Sequence, residues 1–216
     1  KDEPPITDEP VDEDWTTRFF NIVEEISNED MQALWGRILA GEVKQPKSYS
    51  LRTLELIRNL SKKEADTFMK VAKFSIKSGN GHYLFKGNNE DKLSKDFKIN
   101  YEDIALLTEI GLMQPGGFVN HQFVKQTIDS NRILIAGNII IFVNVKAETP
   151  TIMMPVDVFS SSGNELLKLV KSLPPFEYLE YFVKSIKNDN VDVKYANILD
   201  FEGSNIRHTK PLLEFK

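Results

Sequence analysis

The chain has 216 residues, 41% hydrophobic and 27% charged, which fits one large domain or two small ones and excludes a wholly disordered polymer. No apolar run approaches the roughly 20 residues that span a bilayer. Having no cysteine rules out disulfide staples, thiolate zinc sites and cysteine nucleophiles together. The net charge of −5 is concentrated at one end: residues 1–14 carry seven acids against Lys1 and leave +1 for everything that follows.

That acidic stretch is broken by Pro4, Pro5 and Pro10 and reads as a solvated linker over 1–14. A chain that starts at Lys1 is expected to be a trimmed or processed piece of a longer protein, and the lack of cysteine fits a reducing, cytoplasmic setting. Helical spacing of Trp15, Phe19, Val23 and Ile26 predicts a first amphipathic helix. Ser27 or Asn28 caps a second, whose apolar face is Met31, Leu34, Trp35, Ile38 and Leu39, with Gly41 at the place of a left-handed C-terminal cap. Ser50 opens a third helix through Leu51, Leu54, Ile57 and Leu60. Ser61 with Glu64 forms a capping-box pattern for a fourth, running through Phe68 and Ala72 towards Ile76. Residues 15–77 thus read as a four-helix module.

Ser78-Gly79-Asn80-Gly81 signals a turn, followed by the short apolar piece Tyr83–Phe85 and a polar stretch. Asn100 caps a helix over about 101–110 that Gly111 stops. Gly137-Asn138 between Ile133–Ile135 and Ile139–Val143 is a two-residue hairpin signal, and the second run, apolar on both faces, is expected to be buried on both. A strand over 152–159, helices opened by Ser160–Gly163 and by Pro174-Pro175, and a late strand over Val191–Phe201 complete the chain. The expected fold class is α+β: the N-terminal helical module, then a winged-helix-like unit with a small antiparallel sheet over 78–216.

The stretch Leu34-Trp35-Gly36-Arg37-Ile38-Leu39-Ala40-Gly41-Glu42-Val43, with Pro46 and Ser50-Leu51-Arg52-Thr53-Leu54, resembles an uncharacterised bacterial family known as domain of unknown function 2806. Asp14-Trp15, Phe19-Phe20, Ser27–Met31 and Leu107–Leu112 are similar to it as well. The likeness is dense over 14–77, thinner to about 113 and faint beyond. It implies no activity and no catalytic residues. It does imply a longer protein with a helical segment ahead of this region. A related helical motif in proteins linked to abortive phage infection extends the implication to phage defence.

Little in the sequence points to catalysis. His82, His121 and His208 lie far apart, the glycines at 79 and 81 lack the rest of a phosphate loop, and Ser160–Ser162 suit a helix start better than a nucleophile. Neither a cofactor nor a metal is expected. Asp157 on one strand and Asp192-Val193-Lys194 on another form the pattern by which some nucleases hold a divalent cation.

Charge is more telling. Residues 44–77 hold nine Lys and Arg against three acids, a net of +6, and Arg52, Arg58, Lys62, Lys63 and Lys70 are the candidates for tracking a phosphate backbone. The helix over 101–110 would be the reading helix of a winged fold, yet it offers Glu102, Asp103 and Glu109 and no basic group.

The preferred reading is therefore a non-enzymatic interaction or regulatory domain, whose partner is another protein, the rest of its own chain, or a second copy docking through 133–145. Nucleic-acid binding is the alternative and a metal-dependent nuclease comes third. Trp35, Arg37, Gly41, Glu42 and Arg52 are read as a structural motif, with Arg37, Glu42 and Arg52 expected to form ion pairs that fix the turn between helices two and three.

Overall fold

The computed structural model describes residues 9–87, 90–116, 119–170, 173–202 and 205–215. Four helices come first: α1 (Glu13–Val23), α2 (Glu29–Lys44), α3 (Leu51–Asn59) and α4 (Lys62–Ala72). Each starts at a side chain that accepts an otherwise orphaned backbone N–H: Asp12 from Trp15, Asn28 from Met31, Ser50 from Thr53, and Ser61 from Glu64. At α4 the Glu64 carboxylate also accepts the Ser61 backbone N–H, completing the predicted capping box.

Two helix ends differ from expectation. Gly41 does not cap α2, which continues to Lys44. Glycine is needed there because a Cβ would lie 2.9 Å from the Tyr49 ring. α4 stops at Ala72, and Ile76 belongs to the first strand of the sheet.

The strands are β1 (Ser75–Ser78), β2 (Gly81–Phe85), β3 (Val119–Phe123), β4 (Ser130–Ala136), β5 (Ile139–Val145), β6 (Ile152–Val158), β7 (Val191–Glu202), β8 (Asn205–His208) and β9 (Leu213–Glu214). They form one antiparallel sheet in the order β3-β6-β2-β1-β4-β5-β7-β8, with β9 also paired to β7. Helices α5 (Glu90–Phe97) and α6 (Tyr101–Glu109) lie between β2 and β3 in sequence, and α7 (Ser161–Leu167) and α8 (Phe176–Ile186) between β6 and β7.

Two hairpins are built as the sequence requires. Ser78 pairs with Gly81 around Gly79, and Ala136 pairs with Ile139 around Gly137; both turn glycines have φ near +60° (58° and 60°), where a side chain is strained. The α+β class holds, but the winged-helix-like unit with a small sheet does not. The β4–β5 hairpin, expected as a wing, sits inside a nine-stranded sheet with β1 on one side and β7 on the other. The cause is the double-sided apolarity of β5: Ile139, Ile140, Ile141 and Val143 are all buried, and only an interior strand is covered on every side.

Paired residues on neighbouring strands point to the same face, so the register assigns each side chain. Helix α8 covers one face, where Phe182 meets Ile76, Tyr83, Phe85, Leu134 and Val156 around a void of about 20 Å³. On the opposite face, Ala72 at the end of α4 and Leu167 of α7 lie over Lys77, His82 and Ile135. One apolar core runs from Trp15, Phe19 and Trp35 in the first helices through the sheet to Phe215. Tyr178 of α8, fully buried, closes the end of β2 where β1 stops. Its hydroxyl accepts the Phe85 N–H at 2.8 Å and donates to the Phe85 carbonyl at 3.2 Å, replacing a missing strand partner.

Candidate functional site

The family-like motif meets the rest of the chain at the loop over 45–50. Glu42, in the last turn of α2, is 2% exposed, and its carboxylate accepts the backbone N–H of Lys47 at 2.5 Å and of Tyr49 at 2.9 Å. Trp15 Nε1 donates to the Tyr49 carbonyl at 2.7 Å, and Lys168 Nζ donates to the Ser48 carbonyl at 2.9 Å. Glu165 of α7 accepts the Ser50 N–H at 2.7 Å and the Ser50 hydroxyl at 3.1 Å. Lys47 sits at φ +67°, a conformation costly for lysine, which this set of bonds holds in place.

The expected ion pairs are absent from this joint. Glu42 fixes the turn through backbone amides, while Arg37 and Arg52 are exposed and have no ion pair among the described residues. Trp35 is buried against Phe19 at 5.6 Å between ring centroids, and its Nε1 has no hydrogen-bond partner in the structure. The arrangement ties α1, α2, α3 and α7 together. It offers no activated nucleophile.

Among the described residues, three of the nine basic side chains of residues 44–77 pair with carboxylates from elsewhere. Arg58 pairs with Glu25 at 2.8 Å, Lys47 with Glu9 at 2.5 Å and Lys70 with Asp103 at 2.7 Å. Lys62 and Lys63 are exposed beside Asp66, Thr67, Lys70 and Asp103 on an open surface. Arg52 and Arg58 are six positions apart on α3, about 120° around the helix, and so do not share a face.

The nuclease pattern is taken apart by the topology. Asp157 is on β6, Asp192 and Lys194 on β7, and four strands lie between them. Five strand spacings make about 24 Å, far beyond the reach of one metal ion. Asp157 instead pairs with Lys86 at 3.0 Å, and burial raises its pKa against the lowering effect of that lysine. Lys194 lies 3.7 Å from Asp192 and 3.9 Å from Glu214. Among the described residues no group of three metal-ligating side chains converges. His82 meets Asn164 at 2.6 Å, His121 packs on Tyr83, and His208 packs on Phe142, at three separate places.

The late strand expected over 191–201 is β7, but sequence reasoning missed that its end is an exposed edge carrying β8 and β9. β7 outruns β5: beyond Asn197 it pairs with β8 alone on its outer side, through a register shift between Ile198 and Asp200. There Leu199 is 61% and Phe201 50% exposed, and Leu212 and Leu213 are exposed nearby in the chain that carries β9 along β7. The available signal was length, since Val191–Glu202 has twelve residues against the seven of β5.

No helix among the described residues is long and apolar enough to cross a membrane. No curated protein and no solved structure matches the chain significantly. A family match runs over residues 3–183, well past the reach of the sequence resemblance, and ends within α8, so that β7, β8 and β9 lie beyond it. The chain belongs to the family described as Protein of unknown function (DUF2806).

Proposed function

We propose that this chain is a non-enzymatic interaction or regulatory domain that docks a protein partner on the β7–β8–β9 edge of its sheet. The observation that carries the reading is the exposure of Leu199 and Phe201 where β7 outruns β5, with Leu212 and Leu213 exposed in the segment that carries β9. Exposed apolar side chains on a strand with one open edge suit strand addition, with main-chain hydrogen bonds supplying affinity and side-chain contacts supplying selectivity. The partner is another protein, the remainder of the same polypeptide or a second copy. The carboxylates of Asp66 and Asp103 among the lysines of α4 support ranking nucleic-acid binding second.

The test compares the parent with a Leu199→Lys/Phe201→Lys variant. Sedimentation velocity reads self-association, and quantitative capture from the native cells reads a heterologous partner. The reading requires that one of the two complexes be present with the parent and lost with the variant, at unchanged circular dichroism. A complex that survives the double change refutes this edge as the interface. The phage-defence setting implied by the family resemblance belongs to the same proposal; plating efficiency of phage on cells with and without the gene tests it.

A further inference from the structure

The basic charge of residues 44–77 has a remnant that no carboxylate answers. Lys47, Arg58 and Lys70 are paired, whereas neither Lys73 nor Lys77 has an ion pair among the described residues. Both line a cleft of about 150 Å³ on the face of the sheet opposite α8, together with Ser75, His82, Gly137 and a floor of Ile135, Leu167 and Val170. Register sets this composition. Lys77 stands directly across from His82 on β2 and from Ile135 on β4, so ammonium and imidazole share one face side by side.

We propose that this cleft binds a small oxyanion of the phosphate type, as the free ion or as the phosphoryl group of a small ester. Three features select that class. The lining holds two lysines, a histidine and a serine hydroxyl but no carboxylate, in a chain whose net charge is −5. The nearest acid in the same cross-strand row, Asp157, is two strands or about 10 Å from Ser75 and is occupied by Lys86 at 3.0 Å. The volume is about half of the roughly 300 Å³ at which pockets for drug-sized ligands begin, which suits one tetrahedral anion and excludes a nucleoside.

The contributions differ by residue. Lys77, exposed and across from His82, is the principal charge. Lys73 follows the last turn of α4 and holds its ammonium 5.1 Å from the Phe74 ring, so it adds charge to a half-shielded wall. Asn164 Oδ1, which has only lone pairs to offer, accepts the His82 backbone N–H at 3.1 Å and contacts Nδ1 at 2.6 Å. The ring proton is therefore on Nδ1, and Nε2 becomes a second donor only when the imidazole is protonated. An anion in the cleft offsets the repulsion between Lys77 and a protonated His82, and so favours that form. Because the walls come from α4, β1, β2, the β4–β5 turn and α7, an occupied cleft also links the helices to the sheet.

The proposal is independent of the docking edge, and its test reads binding alone. Inorganic phosphate, methyl phosphate and sodium chloride at matched ionic strength are titrated in turn while the NMR signals of the His82 imidazole are followed. Saturable shifts with phosphate or with methyl phosphate, absent with chloride, are the expected result; the tighter of the two identifies a free ion or an ester as the ligand. Lys77→Gln should weaken the binding by about tenfold or more, whereas Lys62→Gln, on the open surface of α4, should leave it unchanged. Lys73→Gln should have a smaller effect than Lys77→Gln. Melting temperatures in phosphate-free buffer confirm that each variant is folded. No saturation up to about 20 mM, a weak millimolar affinity by any measure, overturns the proposal. So does binding that Lys77→Gln and Lys73→Gln both leave intact.

Discussion

Two strand segments of this chain, one wholly apolar and one broken by Asp200, have opposite fates. Ile139–Val143 forms the heart of β5, hydrogen-bonded to β4 on one side and β7 on the other. Ile198–Phe201 extends β7 beyond the end of β5, and its Leu199 and Phe201 stand in solvent. Hydrophobicity alone would choose the first as the docking surface. Position in the sheet reverses the choice, because a strand with neighbours on both edges and layers on both faces has nothing left to offer a partner. The cover that the apolar run over 139–143 requires is supplied within the chain by β4 and β7.

The largest effect expected from this contrast comes from placing the same charge in each run. Ile140 is 1% exposed, and Ile140→Lys buries an unpaired ammonium in the middle of the sheet; we expect a loss of about 4 kcal/mol or more, enough to unfold the domain. Phe201→Lys, at a half-exposed site, should change stability by only about 0.5 kcal/mol. Urea denaturation of the two variants measures both. A folded Ile140→Lys protein would show that β5 is not core.

The same distinction separates the residues of the family-like motif, at a smaller scale. Glu42→Ala leaves the part-buried amide of Lys47 and the buried amide of Tyr49 without their acceptor, and should cost about 3 kcal/mol. Arg37→Ala and Arg52→Ala, at exposed positions in the same motif, should each stay within about 0.5 kcal/mol of the parent. Gly41→Ala falls between: the gain of about 1 kcal/mol in helix propensity is opposed by a Cβ 2.9 Å from the buried Tyr49 ring, and the net is expected to be a small loss. Chemical denaturation midpoints order the four variants. Equal losses for Glu42 and Arg37 would mean that prominence in the motif, and not partnering, sets the energetics.

Local chemistry explains what the sequence made legible. Caps at Asn28, Ser50, Ser61 and Asn100, the turns at Gly79 and Gly137, and the proline-led start of α8 are all short-range signals, and each element appears where they point. Helix α5 escaped because its apolar face is only Leu93 and Phe97. The i,i+4 pairs Lys92–Asp96 and Asp91–Lys95 hold an otherwise charged segment that reads as loop. β1 escaped because four residues, Ser75–Ser78, carry too little alternation to register. Long-range facts were out of reach in principle. Nothing local says that β4 and β5 fall in the middle of the strand order, that Asp157 and Asp192 end up with four strands between them, or that Lys77 faces His82 across a hairpin. The partner of Glu42 was misassigned for the same reason: a carboxylate between two arginines suggests ion pairs until the loop that doubles back to its oxygens is seen.

The smallest expected effect tests the interior against the edge through pH. Burial lowers the pKa of His82 and of His121, reinforced by Lys77 for the first and Arg132 for the second, and opposed at His82 by its bond to Asn164. Both histidines thus take up a proton less readily in the folded chain than in the unfolded chain, where the ordinary value is 6.5. Where the unfolded state binds more protons, stability rises with pH. The histidine contribution is therefore complete above about 6.5 and is lost as pH falls through the lower folded values. Asp157 has the opposite sign. Its raised pKa gives stability that is present below the ordinary 3.8 and lost as pH rises through the folded value, so it acts at the acid end of the range. Glu64 and Asp91 are lowered in the folded state but are fully exposed, and solvent screens their share. Urea midpoints taken between about pH 7.5 and pH 5 should fall with acidification for the parent. They should fall less steeply for His82→Gln and for His121→Gln, and least for the pair. The Leu199→Lys/Phe201→Lys variant, altered only at the exposed edge, should keep the parental slope. If that edge variant flattened the slope while both histidine variants kept it, the assignment of the pH dependence to the half-buried histidines of the sheet would be wrong.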